Sequence, residues 1–297
     1  MKQLIWVLQF VLAVPVTLPL AVVPYRISLK AGSFLGFLLF LLWKSRRQIA
    51  IDNLKTAVSR GAVKIASDPE SVIKQNFRNL GMSFAELIRI YYGLGKRIFE
   101  NIEIRGTENF KKAFDKGKGV IFITGHCGNW ELMALCTGKN IVHVSNIARK
   151  IYNPYFNYII ERVRQKSGNR IIYKQGALKK ILSSLRNNGV IGILMDQSVI
   201  SSEGVIADFL GKKAYTMKMP AMIARKTGSA VLPAFIRRTE NGHIMEIGPE
   251  IECDSSEDAE KALFNDTVKF SGFIEDYIRQ NPAEWLWIHR KWKRIKD

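Results

Sequence analysis

The chain of 297 residues is long enough for one large domain or for a domain with an appended membrane segment, and its 47% of hydrophobic residues excludes wholesale disorder. It carries 45 Lys and Arg against 26 Asp and Glu, a formal net charge of +19, which indicates an anionic partner without choosing between nucleic acid, membrane surface and acidic metabolites. Three scattered cysteines and four histidines exclude a disulfide framework, and we expect no structural metal.

Two uncharged, mostly apolar runs dominate the N-terminus. The run 3–25 is long enough for one bilayer crossing of about 20 residues, but Pro15, Pro19 and Pro24 interrupt it, so a straight spanning helix is not assured. The second run, 31–43, is too short to span a bilayer. The runs are therefore typical of a membrane anchor of unresolved geometry.

The charges around these runs favour an anchor that is retained. Residues 1–60 hold eight basic side chains and one acidic side chain, a distribution suited to the anionic cytoplasmic leaflet. A cleaved signal peptide is the alternative, which a lone Lys2, a long apolar stretch and the lack of a clear small-x-small cleavage site disfavour. We predict a membrane anchor over 1–43 and a second domain over 44–297.

The second domain opens with helices and continues with alternating strands and helices. Apolar periodicity predicts helices over 44–60 and 68–92, and Asp68 is expected to cap the latter. Thr107 is expected to cap a short helix, and further helices are predicted to start near Asn129 and to cover 216–227, closed by Gly228. The continuous apolar runs 120–124, 190–195 and 230–236 are typical of buried parallel strands.

This alternation predicts an α/β fold with a mostly parallel central sheet flanked by helices. In such sheets the chemistry lies beyond the carboxyl ends of the strands. The segment 125–131, Gly-His-Cys-Gly-Asn-Trp-Glu, follows the strand at 120–124, and Asp196 follows the strand at 190–195. We therefore expect both to lie at one edge of the sheet.

His126 and Glu131 are the candidate catalytic pair. Gly125 and Gly128 allow a tight turn after the strand, and Glu131 falls in the first turn of the next helix, from which its carboxylate could reach back to one imidazole nitrogen and fix the tautomer. The other nitrogen could then deprotonate an alcohol that attacks a thioester, without a covalent protein intermediate. The alternative is a chance pair, and a nucleophilic Cys127 is disfavoured because adjacent residues rarely form a working pair.

The stretch 117–132 resembles the acyltransferase motif of the bacterial lipid A lauroyl/myristoyl acyltransferase family, part of the lysophospholipid acyltransferase-like group. The similarity extends over most of the chain, in the family's order. Its further motifs are Arg47-Gln48-Ile49-Ala50 with Asn53-Leu54, 77–81, Ala148-Arg149 with Asn153-Pro154, 195–197, 208–211, Thr216 with Pro220-Ala221, and 285–290.

The resemblance implies a glycerolphosphate acyltransferase-like α/β fold and an inner-membrane enzyme whose active site faces the cytoplasm. The reaction would move an acyl group from an acyl-carrier-protein thioester to a hydroxyl of a lipid A precursor, with His126 as general base supported by Glu131. An arginine and an aspartate are also implicated in that family, and they match Arg170 and Asp196, although Arg164 competes with Arg170 for the position.

Three further residues are expected to bind substrate. Arg149 is expected to meet a lipid phosphate or the carrier group, and Asn129 and Gln197 to contact substrate. We expect no cofactor, because the thioester supplies the driving force. Cys127 stands where that family often has an aromatic residue, so the pocket wall is expected to differ, and the stretch 197–206 is not diagnostic of any one acceptor. Chain length and acceptor are therefore left open.

Other readings of the chain remain open. The acceptor could instead be a phosphatidylinositol mannoside, an aminoacyl lipid or a lysophospholipid, and the donor could be acyl-CoA. A basic membrane-peripheral or nucleic-acid-binding protein is the non-enzyme alternative, although we expect no nucleic-acid partner. The tryptophans of the basic tail, Trp285, Trp287 and Trp292, fit an interfacial belt or core packing equally, and His289 is expected to be structural.

Overall fold

The computed structural model describes residues 2–295. Within that range the helices are α1 Lys2–Val22, α2 Tyr25–Leu42, α3 Lys44–Ser59, α4 Pro69–Tyr91, α5 Lys96–Glu100, α6 Thr107–Phe114, α7 Trp130–Asn140, α8 Pro154–Gln165, α9 Ala177–Arg186, α10 Met219–Thr227 and α11 Ala259–Gln280. The strands there are β1 Ile102–Arg105, β2 Val120–Thr124, β3 Val144–Ala148, β4 Arg170–Tyr173, β5 Val190–Leu194, β6 Gly204–Phe209, β7 Lys212–Met217, β8 Ala230–Arg238 and β9 His243–Ile247.

A seven-stranded sheet forms the centre of the molecule, in the order β1-β9-β8-β2-β5-β3-β4. The five strands from β8 to β4 are mutually parallel, whereas β9 runs antiparallel to β8 and β1 runs parallel to β9. Strands β6 and β7 form a separate antiparallel hairpin. The predicted α/β fold with a mostly parallel central sheet is confirmed.

Both faces of this sheet are covered, which explains the continuous apolar runs of its strands. Along β2, Ile121 and Ile123 join one buried cluster, whereas Val120 and Phe122 join a second cluster on the opposite face. Helices α9, α10 and α11 contribute to the first cluster, and α6 and α7 contribute to the second. The segment 125–131, which holds the candidate residues His126 and Glu131, follows β2, the strand at the centre of the order.

The local predictions were mostly correct. Helices α3 and α4 lie where expected, and Asp68 caps α4 by accepting a hydrogen bond from the Ser71 N–H at 2.9 Å. Thr107, however, is the first helical residue of α6, and the N-cap position falls to Gly106, whose φ of +75° favours glycine. The helix predicted over 216–227 begins at Met219 because the preceding residues pair in β7.

The N-terminal region folds as two helices. Helix α1 continues through Pro15 and Pro19 and ends at Val22, before Pro24, whose ring disfavours helical geometry in the residue ahead of it. Helix α2 begins at Tyr25, so it contains most of the short apolar run 31–43 and also the residues just before that run. Within the described residues, α2 is the one helix long and apolar enough to cross a membrane, a test of length and composition that buried core helices also pass.

Helix α2 packs tightly on α4 through small residues. A side chain added at Gly36 would lie 2.1 Å from the Phe77 carbonyl oxygen, and one added at Gly81 would lie 2.0 Å from the Gly32 carbonyl oxygen. Such close backbone contact requires glycine. Helix α2, which ends at Leu42 with Trp43 as its C-cap, is therefore packed against α4.

Candidate active site

The loop between β2 and α7 places His126 at the carboxyl edge of the sheet. Gly128 adopts φ +55°, and an added Cβ there would lie 2.0 Å from the Ile236 carbonyl oxygen, so this turn excludes other residues. Asp196 follows β5, the neighbour of β2, and therefore emerges at the same edge. The prediction that the segment 125–131 and Asp196 lie at one edge of the sheet is confirmed.

Asp196 is the carboxylate that holds the histidine. Its Oδ1 lies 2.8 Å from His126 Nδ1, while its Oδ2 accepts from the His126 backbone N–H at 3.0 Å and from Trp285 Nε1 at 2.8 Å. The Asp196 side chain is 1% exposed. A carboxylate with these donors stays ionised, so Nδ1 carries the proton and the lone pair lies on Nε2.

The electrostatics of the pair favour a basic imidazole. Burial alone would lower the pKa of His126, but the Asp196 carboxylate outweighs it, and Glu131 adds to the effect, so that the pKa lies above its ordinary value. Burial would likewise raise the pKa of Asp196, yet its contacts with His126 and Trp285 hold that pKa far below the usual range. The pair therefore consists of an ionised carboxylate next to an imidazole ring that gains a proton readily.

Glu131 has a different partner from the one expected. Its two carboxylate oxygens accept from Arg164, with Nε at 2.9 Å and the Nη2 contact closer still, in a bidentate pair. The expectation that Glu131 itself hydrogen-bonds the His126 ring was wrong, because α7 directs the carboxylate toward α8 while Asp196 takes Nδ1. Glu131 still acts on the ring through its charge.

The structure also corrects the choice of arginine. Arg170 opens β4 and pairs in register with Ser145, at the amino ends of parallel strands, whereas His126 lies beyond their carboxyl ends. Arg164, the competing candidate, lies at the site on Glu131. Arg149 is exposed and directly follows β3, so it lies at the carboxyl edge, where its predicted binding role stays a prediction.

Asn129 is not exposed to a substrate. Its side-chain carbonyl caps α7 by accepting from the Leu132 N–H at 3.2 Å, and its amide donates to Glu86 at 2.8 Å, in a residue that is 3% exposed. The expectation that Asn129 contacts substrate is therefore wrong for this structure, because the interior of the protein uses both ends of its amide.

Gln197 contacts the His126 ring directly. Its amide nitrogen is 3.0 Å from His126 Nε2 and 2.7 Å from His289 Nε2, so it can donate to both rings. The ring centroids of His126 and His289 are 5.7 Å apart. His289, expected to be structural, thus lies at the site. Burial, followed by the positive charge of His126, lowers the pKa of His289.

The C-terminal segment is part of the site, which the sequence did not indicate. The Leu286 N–H donates to the His126 carbonyl at 3.0 Å, and the Gly128 N–H donates to the Glu284 carbonyl at 2.9 Å. Asn53 of α3 and Asn76 of α4 hold the segment through its carbonyls. The tail tryptophans are buried, so core packing, rather than an interfacial belt, explains them: Trp285, Trp287 and Trp292.

Cys127 gives no sign of a nucleophile. It is buried, and burial together with the negative charge of Asp196 raises the pKa of its thiol well above the ordinary value. In the described part of the chain, 2–295, no group of three or more His, Cys, Asp or Glu residues is placed to hold a metal ion.

A mostly apolar pocket lies beside the histidine, between α7 and the face of the sheet that α7 covers. Trp130 lines the pocket and also contacts the His126 ring, with ring centroids 5.1 Å apart, and the Glu131–Arg164 pair lines it as well. The other lining residues come from β2, β3, β5, β8 and α7: Phe122, Thr124, Met133, Ala134, Thr137, Val144, Asn146, Ile147, Ala148, Gly192, Leu194 and Ala234.

A basic histidine at the carboxyl edge of a parallel sheet, with an apolar pocket nearby, is an arrangement typical of the active sites of α/β enzymes. The family model described as bacterial lipid A biosynthesis acyltransferase matches residues 2–294. The chain belongs to this family, and it is an acyltransferase.

Individual relatives agree with this membership. The chain is 24% identical to a lipid A biosynthesis palmitoleoyltransferase of Escherichia coli (strain K12), over 91% of this chain and 86% of the relative. It is also 24% identical to a lipid A biosynthesis acyltransferase of Haemophilus influenzae, over 94% and 85%. A phosphatidylinositol mannoside acyltransferase of Mycolicibacterium smegmatis is 22% identical over 81% and 79%.

Proposed function

We propose that the protein transfers a fatty acyl group from an acyl-carrier-protein thioester to a hydroxyl of a lipid A precursor, at the cytoplasmic face of the inner membrane. The observation that carries the proposal is His126 held by the buried carboxylate of Asp196 at 2.8 Å, with its Nε2 turned away from that carboxylate. The names of the relatives support the acceptor.

His126 acts as the general base. Its Nε2 lone pair takes the proton of the acceptor hydroxyl while the hydroxyl oxygen forms a bond to the thioester carbonyl carbon. When the tetrahedral intermediate collapses, the carbon–sulfur bond breaks and the departing thiolate takes the proton from the imidazolium. The products are an ester and a free carrier thiol, and the histidine returns to its neutral form.

Gln197 prepares the position of the acceptor. Its amide nitrogen lies 3.0 Å from His126 Nε2, where the acceptor hydroxyl would lie, and its second contact is with His289. The hydroxyl would displace the amide from Nε2, leaving Gln197 bonded to His289 and available to the substrate. Gln197 thus keeps its predicted substrate-binding role in this proposal.

Arg164 is the group best suited to the negative charge that develops on the thioester oxygen. The guanidinium is held by Glu131, and both side chains line the pocket next to Trp130. A preorganised cation there stabilises the oxyanion more than the neutral carbonyl, which is the condition for catalysis. Glu131 supports the reaction by orienting Arg164 and by raising the pKa of His126.

The apolar pocket is the proposed site of the acyl chain. It extends from residues at the carboxyl ends of the strands, such as Thr124 and Leu194, toward Phe122 and Val144 nearer the amino ends. Gly192 lines the pocket, and a Cβ added there would lie 2.6 Å from Asn146 Oδ1. An extended alkyl chain entering beside Trp130 would bury its methylene groups there.

The N-terminal segment 1–43 is proposed as the anchor of the catalytic domain 44–297. Helices α1 and α2 expose large apolar side chains, among them Leu18, Phe34 and Leu42, and α3 follows them with a basic first turn that includes Arg46 and Arg47. Basic side chains beside an apolar segment suit an anionic bilayer, and the net charge of +19 also suits an acidic carrier protein.

A second candidate keeps the chemistry and changes the acceptor to a phosphatidylinositol mannoside. Three relatives named for that acceptor, including the one from Mycolicibacterium smegmatis, are 22% identical to this chain. The lipid A relatives of Escherichia coli and Haemophilus influenzae described above cover more of the chain at slightly higher identity, which favours the first candidate.

The test offers purified full-length protein acyl-carrier-protein thioesters of several chain lengths, the matching acyl-CoA esters, and three acceptors: a lipid A precursor, a phosphatidylinositol mannoside and a lysophospholipid. Mass spectrometry should detect one added acyl chain on the lipid A precursor with the carrier-protein donor. Acylation of the mannoside alone would establish the second candidate, and transfer to none of the acceptors from either donor would overturn the proposal.

A further inference from the structure

A buried carboxylate that the proposed mechanism does not use lies at a junction of four parts of the chain. Glu86 of α4 is 0% exposed and accepts a bidentate pair from Arg238, at the end of β8, with distances of 2.6 and 2.7 Å. It also accepts from the hydroxyl of Tyr25 at 2.7 Å and from the side-chain amide of Asn129 at 2.8 Å.

The Glu86 carboxylate would be costly to bury without partners. A carboxylate without solvent needs a cation and further donors, and Glu86 has both. Burial would raise the pKa of Glu86, but Arg238, together with His243 of β9, whose Nε2 lies 3.5 Å from the carboxylate, holds it well below the ordinary value. A buried charge that is paired and hydrogen-bonded in this way fixes the geometry of the elements that it joins.

One arm of the junction leads to the catalytic loop. Asn129 is the N-cap of α7 and lies three residues after His126 and one residue before Trp130. The bond to Glu86 fixes the Asn129 amide, whose carbonyl in turn fixes the first turn of α7. The direction of Trp130 and Glu131 into the pocket therefore depends on Glu86.

A second arm leads to the proposed anchor. Tyr25 is the first residue of α2, the candidate membrane helix, and its hydroxyl donates to the same carboxylate. Arg89, one turn after Glu86 on α4, donates to the Val23 carbonyl ahead of α2. The first residue of α2 and the N-cap residue of α7 thus both donate a hydrogen bond to the Glu86 side chain.

We propose that Glu86 is a positioning residue that holds the His126 loop through Asn129 and ties this loop to the start of the anchor helix through Tyr25. This inference rests on the proposed function only for its kinetic consequence. Its structural content, a catalytic loop whose order depends on the Glu86–Asn129 bond, is independent of which acceptor the enzyme uses.

The sharpest test is Asn129→Ser in the full-length protein. Serine is as good an N-cap as asparagine, so the cap of α7 is kept while the donor to Glu86 is lost and the Glu86–Arg238 pair stays intact. We expect kcat to fall roughly 10–100-fold with little change in KM, because a displaced catalytic group costs rate rather than ground-state binding. Amide hydrogen exchange over 126–133 should become about tenfold faster.

Two further variants complete the experiment. Glu86→Gln should reproduce the faster exchange and lower kcat, and Tyr25→Phe should cause a smaller change in the same direction. Asp266→Asn is the matched control, because Asp266 is a buried carboxylate on α11 that pairs with Arg225 at 2.8 Å and accepts from the Asp254 N–H. The control should leave exchange over 126–133 unchanged.

The outcomes separate the two proposals. Unchanged exchange and unchanged kcat in Asn129→Ser would overturn the positioning role, as would a raised KM at constant kcat, which would make Asn129 a substrate contact. If the wild-type protein transfers no acyl group, the proposed function fails, whereas the exchange measurement still decides whether Glu86 orders the loop.

Discussion

Two charge pairs flank the site, and they differ in burial and in how the chain brings them together. His126 and Asp196 are 70 residues apart, and the Asp196 side chain is 1% exposed among three donors. Glu131 and Arg164 are 21% and 22% exposed and line the pocket. In the proposed mechanism the buried pair fixes the tautomer of the base, whereas the more open pair presents a cation that substrate can approach.

Replacing His126 should break the buried pair completely. We expect His126→Ala to lower kcat roughly 10²–10⁴-fold, the usual contribution of a general base, because no other group takes its place at Nε2. Fractionation should still recover the variant with membranes, since the proposed anchor is untouched. Near-normal transfer by the purified variant would contradict the mechanism.

Asp196→Asn should have the next largest effect. The amide is nearly the same size but lacks the charge that stabilises the imidazolium, and it can favour the wrong tautomer, so kcat should fall about 10²-fold or more. Steady-state kinetics with a saturating thioester would measure this. Activity within a few-fold of wild type would show that Glu131, rather than Asp196, supports the base.

The pH profile sharpens the same comparison. The base works in its deprotonated form, so wild-type kcat/KM should fall as the pH drops through the pKa of His126, which Asp196 and Glu131 raise above the ordinary value despite burial. Removing the charge in Asp196→Asn should move this midpoint to lower pH. A midpoint that stays in place or moves to higher pH would argue against Asp196 as the main source of the shift.

Substitutions in the more open pair, Glu131 and Arg164, should have an intermediate effect on kcat. Arg164→Gln is expected to lower kcat about 10–100-fold by removing charge stabilisation of the oxyanion, and Glu131→Gln somewhat less. Because the two side chains act as a unit, the double variant should be little worse than Arg164→Gln. Arg170→Gln is the matched control at the amino edge of the sheet, and a comparable loss there would restore Arg170 as the catalytic arginine.

Trp285→Phe should have the smallest effect. It removes the indole donor to Asp196 and leaves the His126 contacts, so we expect kcat to fall roughly three- to tenfold, as for the loss of one hydrogen bond to a charged group. Thermal unfolding of the same sample would separate lost packing from lost positioning. A variant that loses stability at unchanged kcat would assign Trp285 to packing alone.

Local patterns predicted the elements well but the partners poorly. The apolar runs and the capping Asp68 correctly predicted β2, β5 and α4, because those signals lie within a few residues of the structure that they specify. The proximity of Glu131 to His126 suggested a pair. The first turn of a helix, however, directs a side chain by its own geometry, and α7 turns this carboxylate toward Arg164.

The sequence could not decide which arginine lies at the site, because it does not give the order and register of the strands. The chain offered both Arg164 and Arg170, and only the parallel register of β3 and β4 shows that Arg170 lies at the amino edge. The contribution of the C-terminal segment was likewise hidden. Trp285 is 89 residues from Asp196 along the chain, and the bonds that join them form only after the sheet has assembled.

By itself the sequence determined the class of fold, the family motif and the histidine, because alternating apolar runs, a glycine-bounded turn and a short motif are local and survive without tertiary contacts. The tertiary structure alone decided that Asp196 is the carboxylate that holds the histidine. It also decided that Arg164 is the arginine that pairs with Glu131, and that Asn129 donates its side-chain amide to Glu86. The physical reason is that hydrogen-bond partners of buried charges are chosen by the packing of strands and helices far apart in the chain.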